Sequence, residues 1–191
     1  MIRIAVVGNI GSGKTYVANL FKLPVFNADF EVLKIYKEDR SCFRKLKKKI
    51  PKFINIFPID KKQILNAINE KKNNLKKISE IVHPIVRKKM NIFLRKNKYN
   101  KAVILDIPLY FENKINRKKD VIIYIDAKKS LINIALKKRN KYNLKILKKL
   151  SKLQISPKIK KRRSSYILIN NFKSEVLSKK VRILKKKILD K

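Results

Sequence analysis

"GNIGSGKT" (8–15) holds all three glycines of a 191-residue chain. The spacing Gly8-x-x-x-x-Gly13-Lys14-Thr15 is that of a phosphate-binding loop. Such a loop wraps an anion so that successive backbone N–H groups point inward, and side chains there would block the approach. Some positions also need positive φ, which glycine adopts without steric cost. Lys14 supplies a charge for the β- and γ-phosphates of a nucleoside triphosphate, and the Thr15 hydroxyl is the expected Mg²⁺ ligand. At an average glycine content, the pattern arises by chance in about 1% of chains this long.

The flanks fit the motif. "IRIAVV" (2–7) is a continuous apolar run, as in a parallel strand buried on both faces, and "KTYVANLFK" (14–22) reads as the helix that follows. Further out, "PVFN" (24–27), "AVILD" (102–106), "VIIYID" (121–126) and "YILIN" (166–170) read as four more strands. Helical spacing covers 28–36, and most of 38–97 looks helical. Asp60 is placed to cap "KKQILNAIN", Pro84 to open a new helix after "ISEIVH", and Ser130 to cap a helix over 131–140. Residues 143–153 and 156–165 are basic and amphipathic. The last helix, about 173–190, carries Leu177, Val181, Leu184 and Ile188 along one stripe. Strands alternating with helices predict an α/β fold, a five-stranded parallel sheet flanked by helices. The stretch between the second and third strands is too long for a simple crossover, so it should contain a helical subdomain.

The bulk numbers frame this reading. The hydrophobic fraction of 45% supports a core, while 52 Lys+Arg against 13 Asp+Glu leave a net charge of +39. Lysine, asparagine and isoleucine are abundant together, as an AT-rich coding sequence favours, so the charge reads as a solvated lysine surface. Its functional reading is a face that grips polyanions. Yet the lysines are spread over nearly every expected helix rather than grouped with aromatics in a recognisable module, and nucleic acid is not expected as the main partner. The single cysteine, Cys42, permits no internal disulfide and reads as a small apolar helix residue. "MIRIAVVGNIGSGK" (1–14) is apolar for only a few residues before the glycine turn and is not expected to act as a signal peptide, and no run approaches the roughly 18 apolar residues of a membrane span. The expected compartment is the cytoplasm, without membrane contact.

Two carboxylates close strands. Asp29 follows the second, in "NAD", and Asp106 ends the third. Strand carboxyl ends line the ligand crevice of a doubly wound sheet. Either is placed to hold Mg²⁺ through water or to take a proton from an attacking hydroxyl; Asp29 reads equally as a helix cap, and Asp106 as a solvated strand end. His83, the only histidine, has no companion Cys or His cluster and reads by itself as a packed helix residue.

In order along the chain, "VVGNIGSGKTYVA", "VFNAD", "ISEIVHPIVRKKM", "VILDIPLYFEN", "VIIYIDA" and "QISPKIKKRRSSYILINN" resemble the segments of the dephospho-coenzyme A kinase family. The series spans nearly the whole chain. The resemblance implies one P-loop kinase domain over 1–191, with a helical acceptor-binding insertion at about 38–97 and a lid region at about 128–163. It implies transfer of the γ-phosphate of ATP to the ribose 3′-hydroxyl of dephospho-CoA, the last step of coenzyme A biosynthesis, with ATP and Mg²⁺ bound by a monomer or weak homo-oligomer. Residues 11–16 (Gly11, Ser12, Gly13, Lys14, Thr15 and Tyr16) would cradle ATP, with Asn170 near the adenine. Asp29 aligns as the general base, Arg139 as a lid arginine and Lys160 as the lid-return lysine. His83, Arg87, Pro108, Leu109 and Glu112 would form the acceptor side.

The chain departs from the family pattern at several points. Asn27 stands for the first aspartate of the "DAD" segment, Ala135 for an arginine ahead of the lid, and Ser165 and Ile169 for the aspartates of the terminal strand. The loop between Lys22 and Pro24 lacks the family's glycine. Two other functions would leave different marks on the sequence. One is a different P-loop small-molecule kinase, acting on a nucleoside monophosphate or a shikimate-like alcohol; a nucleotide acceptor would predict an arginine-rich clamp in 38–97, where Arg40, Arg44, Arg87 and Arg95 form no familiar motif. A basic nucleic-acid-binding protein would bind DNA tightly and with steep salt dependence.

Overall fold

A computed structural model describes residues 1–138 and 151–190. They divide into two compact units, Met1–Asn27 with Asn97–Lys191, and Ala28–Lys96.

The first unit is built on strands β1 (Ile2–Gly8), β2 (Val25–Asn27), β3 (Ala102–Asp106), β4 (Val121–Asp126) and β5 (Tyr166–Ile169). All pair in parallel, in the order β2-β3-β1-β4-β5. β1 is buried along nearly its whole length because both faces are covered, which is why its sequence is an unbroken apolar run. The chain leaves β1 for β2, returns through β3, and then crosses to β4 on the other side. The carboxyl end of β1 therefore lies where the connectivity reverses, the place an open α/β sheet leaves for a ligand.

Helices α1 (Lys14–Leu20), α6 (Lys129–Lys137), α7 (Pro157–Arg162) and α8 (Ser174–Leu189) belong to this unit. Val17, Ala18 and Phe21, in and just after α1, meet Leu177, Val181 and Ile188 of α8 in one core with Ile4, Val6, Ile104, Ile123 and Ile125 of the sheet. Each fully buried side chain of this size contributes roughly 1.5–3 kcal/mol relative to exposure. The stripe on the last helix is as its spacing predicts, with Leu184 packed at the margin. Away from the loop, Arg3 of β1 pairs with Asp120 (Nε to Oδ1, 3.1 Å). Tyr110 donates its hydroxyl to Asp120 Oδ2 at 2.6 Å and accepts from Arg3 Nη2. That buried cluster ties the 107–120 connection to the start of β1.

The second unit comprises α2 (Ala28–Glu38), α3 (Arg40–Lys49), α4 (Lys61–Glu70) and α5 (Lys72–Lys96). Its core gathers Ile35, Leu46, Ile54, Ile64, Ala67, Ile78 and Val82. Cys42 is completely buried there, and burial, followed by the nearby Asp39 carboxylate, pushes its thiol up to about 11. Asp39 and Asp60 cap α3 and α4 by accepting from Cys42 N at 2.8 Å and Gln63 N at 2.7 Å.

Two boundaries differ from expectation. Pro84 does not open a helix; it lies inside the 25-residue α5. The apolar stripe, with Ile78 and Val82 buried before the proline and Met90 and Leu94 after it, gains more from continuing than the one hydrogen bond proline forfeits. Ser130 does not cap α6, which begins at Lys129 with Lys128 in the cap position and no side-chain cap. The periodicity located that helix, but its first turn starts two residues before the expected one, which puts Ser130 inside the turn rather than at the cap. In urea denaturation, Asp60→Ala should cost about 1 kcal/mol, whereas Ser130→Ala, at an exposed position, should stay within about 0.5 kcal/mol of wild type. Equal losses would return Ser130 to the capping role.

Candidate active site

β1 ends at Gly8, α1 begins at Lys14, and the turn between them carries the glycines expected of a phosphate loop. Gly11 has φ 81°, and a Cβ there would stand 2.8 Å from Leu136 Cγ, so glycine lets α6 lie against the loop. The Lys14 ammonium folds back over the loop, donating to Asn9 O at 2.9 Å and Gly8 O at 3.3 Å. With only 9% of its surface exposed, it is a cation held at the loop by carbonyl dipoles. Ser12 is fully buried, and its hydroxyl has no hydrogen-bond partner among the described residues. A buried hydroxyl left without a partner fits the donor that a phosphate loop needs for a ligand oxygen.

Strand register builds the next part. Asn27 lies opposite Asp106 in the β2–β3 pair, and Val6 of β1 lies opposite Asp106 on the other side. Asp106 is buried, and its Oδ2 accepts from Thr15 Oγ1 at 2.6 Å and from Asn27 Nδ2 at 2.7 Å. Thr15 thus spends its proton on the carboxylate and keeps its lone pairs. Thr15 Oγ1 and the Asp106 carboxylate offer oxygen ligands only, which suits Mg²⁺ shared with phosphates and water rather than an all-protein cage. Among the described residues there is no cluster of three or more His, Cys, Asp or Glu that would hold a metal by itself.

Glu112, in the turn after β3, is engaged within the protein. Its Oε1 accepts from Ile155 N at 3.0 Å and lies 3.0 Å from Lys160 Nζ, an ion-pair contact without an aligned hydrogen bond. Lys160 is 1% exposed. A cation buried that deeply requires the carboxylate, since removing one partner of such a pair costs about 3–5 kcal/mol. Pro108 O accepts weakly from Gln154 Nε2 at 3.5 Å, so the 108–112 turn and the 154–160 segment are stitched together. Leu109 is half-buried in that turn. Next to Lys160, Lys161 pairs with Asp126 at 2.6 Å. Asn170 follows β5 and is 2% exposed; its Nδ2 donates to Ser12 O at 2.9 Å and its Oδ1 accepts from Phe172 N at 2.8 Å. The Tyr16 hydroxyl meets Ser174 Oγ. Arg139, and residues 143–150 of the basic, amphipathic stretch read over 143–153, lie outside the described residues.

In the helical unit, Asp29 occupies the first turn of α2, a position where the helix dipole favours its negative charge. His83, Pro84 and Arg87 line a cleft of about 380 Å³ on α5 with Lys76, Ser79 and Glu80. Lys76, Ser79 and Glu80 were not singled out from the sequence, although their spacing from His83 and Arg87 places them on one helical face. Burial, and secondarily the Arg87 guanidinium, hold the His83 pKa below its ordinary 6.5.

A family model described as Dephospho-CoA kinase matches residues 2–175. The chain belongs to the dephospho-CoA kinase family. A dephospho-CoA kinase of Wolbachia sp. subsp. Brugia malayi is 31% identical over 181 residues, 92% of each chain. Among solved structures, TT1252 from Thermus thermophilus is similar with a TM-score of 0.78 at 24% identity, covering 96% of this chain and 95% of that one. Dephospho-CoA kinase from Campylobacter jejuni gives a TM-score of 0.67 at 21% identity, covering 97% and 96%. These two likenesses concern the fold, the five-stranded parallel sheet of P-loop kinases. Membership in the family makes the chain an ATP-dependent kinase of the final step of coenzyme A biosynthesis.

The histidine gives a direct check on the helical cleft. The folded state binds its proton less readily than the unfolded state, so any stability linked to His83 falls as the pH drops below 6.5. An NMR titration should place its midpoint below 6.5, and Arg87→Ala should raise that midpoint part of the way, because burial persists. A midpoint at or above 6.5 in the wild type would contradict the buried, Arg-facing placement.

Proposed function

We propose that the residues described above divide the phosphoryl transfer between them as follows. The loop's backbone N–H groups, Ser12 Oγ and Lys14 hold the ATP phosphates. Thr15 Oγ1 and Asp106 would hold Mg²⁺, Asp106 in part through water, with Asn27 orienting the carboxylate. When bound, the metal neutralises charge on the β- and γ-phosphates.

The ribose 3′-oxygen of dephospho-CoA attacks the γ-phosphorus. The bond from γ-phosphorus to the bridging oxygen breaks, and ADP leaves. The hydroxyl proton passes to the Asp29 carboxylate, which serves as general base. Little covalent chemistry is asked of the protein, so positioning and charge neutralisation carry most of the catalysis. His83 and Arg87, with Lys76 on the same cleft, face the acceptor. With its pKa held below 6.5, His83 is neutral near pH 7, so it would act through a ring N–H and leave the charge to Arg87 and Lys76. Pro108, Leu109, Glu112 and Lys160 shape the acceptor side by fixing the 108–112 turn. Arg139 is assigned to the transferring phosphate, and Tyr16 completes the nucleotide side through its tie to Ser174.

The observation that carries this reading is the Thr15–Asp106–Asn27 hydrogen-bonded set at the foot of the phosphate loop. A cytoplasmic setting is supported by a single, buried, unpaired cysteine. No described helix is long and apolar enough to cross a membrane.

Incubation with ATP, Mg²⁺ and dephospho-CoA should yield CoA by mass, with far less product from AMP, shikimate or adenosine. Lys14→Ala should abolish turnover. Asp29→Asn should lower kcat by about 10²- to 10⁴-fold while leaving ATP affinity nearly unchanged. An unaltered kcat would remove Asp29 from the base role.

A further inference from the structure

Asn170 sits where the resemblance to the family implies an adenine neighbour, yet both ends of its side-chain amide are occupied within the protein. Nδ2 donates to the carbonyl of Ser12, and Oδ1 accepts from Phe172 N. Its own backbone N donates to Asp126 O at 2.7 Å, which fixes the residue to the end of β4. The amide also explains the last glycine of the loop. Gly13 has φ 89°, and a Cβ there would collide with Asn170 Nδ2. Four residues on, Ser174 meets the hydroxyl of Tyr16 in α1, so the 170–174 junction grips both the loop and the helix it launches.

Peptide geometry gives this grip a consequence. The Ser12–Gly13 peptide is trans, the one cis bond in the described chain being Phe57–Pro58. In a trans peptide the carbonyl and the N–H point in opposite directions. Holding the Ser12 carbonyl against Asn170 therefore turns the Gly13 N–H away from Asn170. A phosphate loop works only when its N–H groups face the anion, and a peptide left free would flip to satisfy its carbonyl elsewhere.

We infer that Asn170 is a positioning residue for the phosphate loop: it locks the Ser12–Gly13 peptide so that the Gly13 N–H is aimed at the ATP phosphates, and it does not read the adenine base. The inference rests on the reading of residues 8–15 as the ATP-phosphate site. It predicts that the polyphosphate, and not the nucleoside, senses the loss of Asn170.

Isothermal titration calorimetry with inorganic tripolyphosphate, ATP and AMP distinguishes the two roles. Asn170→Leu keeps the volume and removes both hydrogen-bonding ends, and Asn170→Ala removes the side chain. Both should weaken tripolyphosphate and ATP about tenfold, the loss of one charge-assisted N–H contact, and change AMP by less than about twofold. In turnover, the KM for ATP should rise by a similar factor while the KM for dephospho-CoA holds. A residue that merely supports the fold would lower the thermal midpoint and leave tripolyphosphate affinity of the folded protein intact; that result overturns the proposal. So does a variant that loses AMP and ATP equally.

Wild-type protein supplies an arm that does not depend on variant folding. In ¹⁵N NMR spectra, tripolyphosphate should shift the Gly13 amide strongly, and adenosine should leave the Asn170 side-chain amide signals in place. Movement of those signals with adenosine refutes the assignment. Failure of the wild type to bind either tripolyphosphate or ATP would instead refute the underlying reading of the loop.

Discussion

If the peptide groups between Gly8 and Thr15 are to face a phosphate, as proposed above, their other sides must be held by the rest of the fold. Most of the first unit can be understood from that requirement. β1 is central and buried on both faces, which fixes the point where the loop departs. Leu136 and Ile132 of α6 close on Gly11, and Asn170 closes on Ser12 and Gly13. Lys14 answers the carbonyls of Gly8 and Asn9, and Thr15 is drawn down to Asp106. A loop supported in this way needs little rearrangement when the anion arrives, which is what electrostatic preorganisation requires.

The α/β architecture was legible because each parallel strand is covered on both faces and so appears as an unbroken apolar run. No helical or alternating pattern competes with "IRIAVV" or "VIIYID". Helix ends were harder to read. Asp60 was found because its carboxylate accepts a bond within its own turn, a purely local event. Pro84 misled because its local preference for a first turn was overruled by tertiary packing of a stripe that runs past it. At Lys129 the helix forms without a side-chain cap, so no capping residue marks its start.

The site shows the same division between local and long-range information. The glycine loop and Thr15 are contiguous and carry their own signature. Asp106 and Asn27 become partners only through the register of β2 on β3, across 79 residues. From sequence, Asn27 was visible as a lost carboxylate; its replacement role as a hydrogen-bond donor to Asp106 depends on the fold. Glu112 and Lys160 are 48 positions apart, and their mutual contact, with Ile155 N on the same carboxylate oxygen, is likewise set by topology. Composition hid these relations further, because a buried, partnered lysine such as Lys160 looks in the sequence like any of the solvated ones.

The thirteen carboxylates give that composition a second meaning. Asp39 and Asp60 cap the starts of helices, Asp106 and Asp120 organise buried polar clusters, and Glu31, Glu70, Glu112 and Asp126 each face a lysine. In a more balanced protein many acids are interchangeable surface decoration, and drift can delete one while another takes over its counter-ion. Here, with 52 Lys+Arg against 13 Asp+Glu, a lysine that loses its partner competes for very few other anions. Redundancy has drained out of the negative half of the charge pattern, so tolerance to mutation should be lopsided: broad at the cations and narrow at the acids.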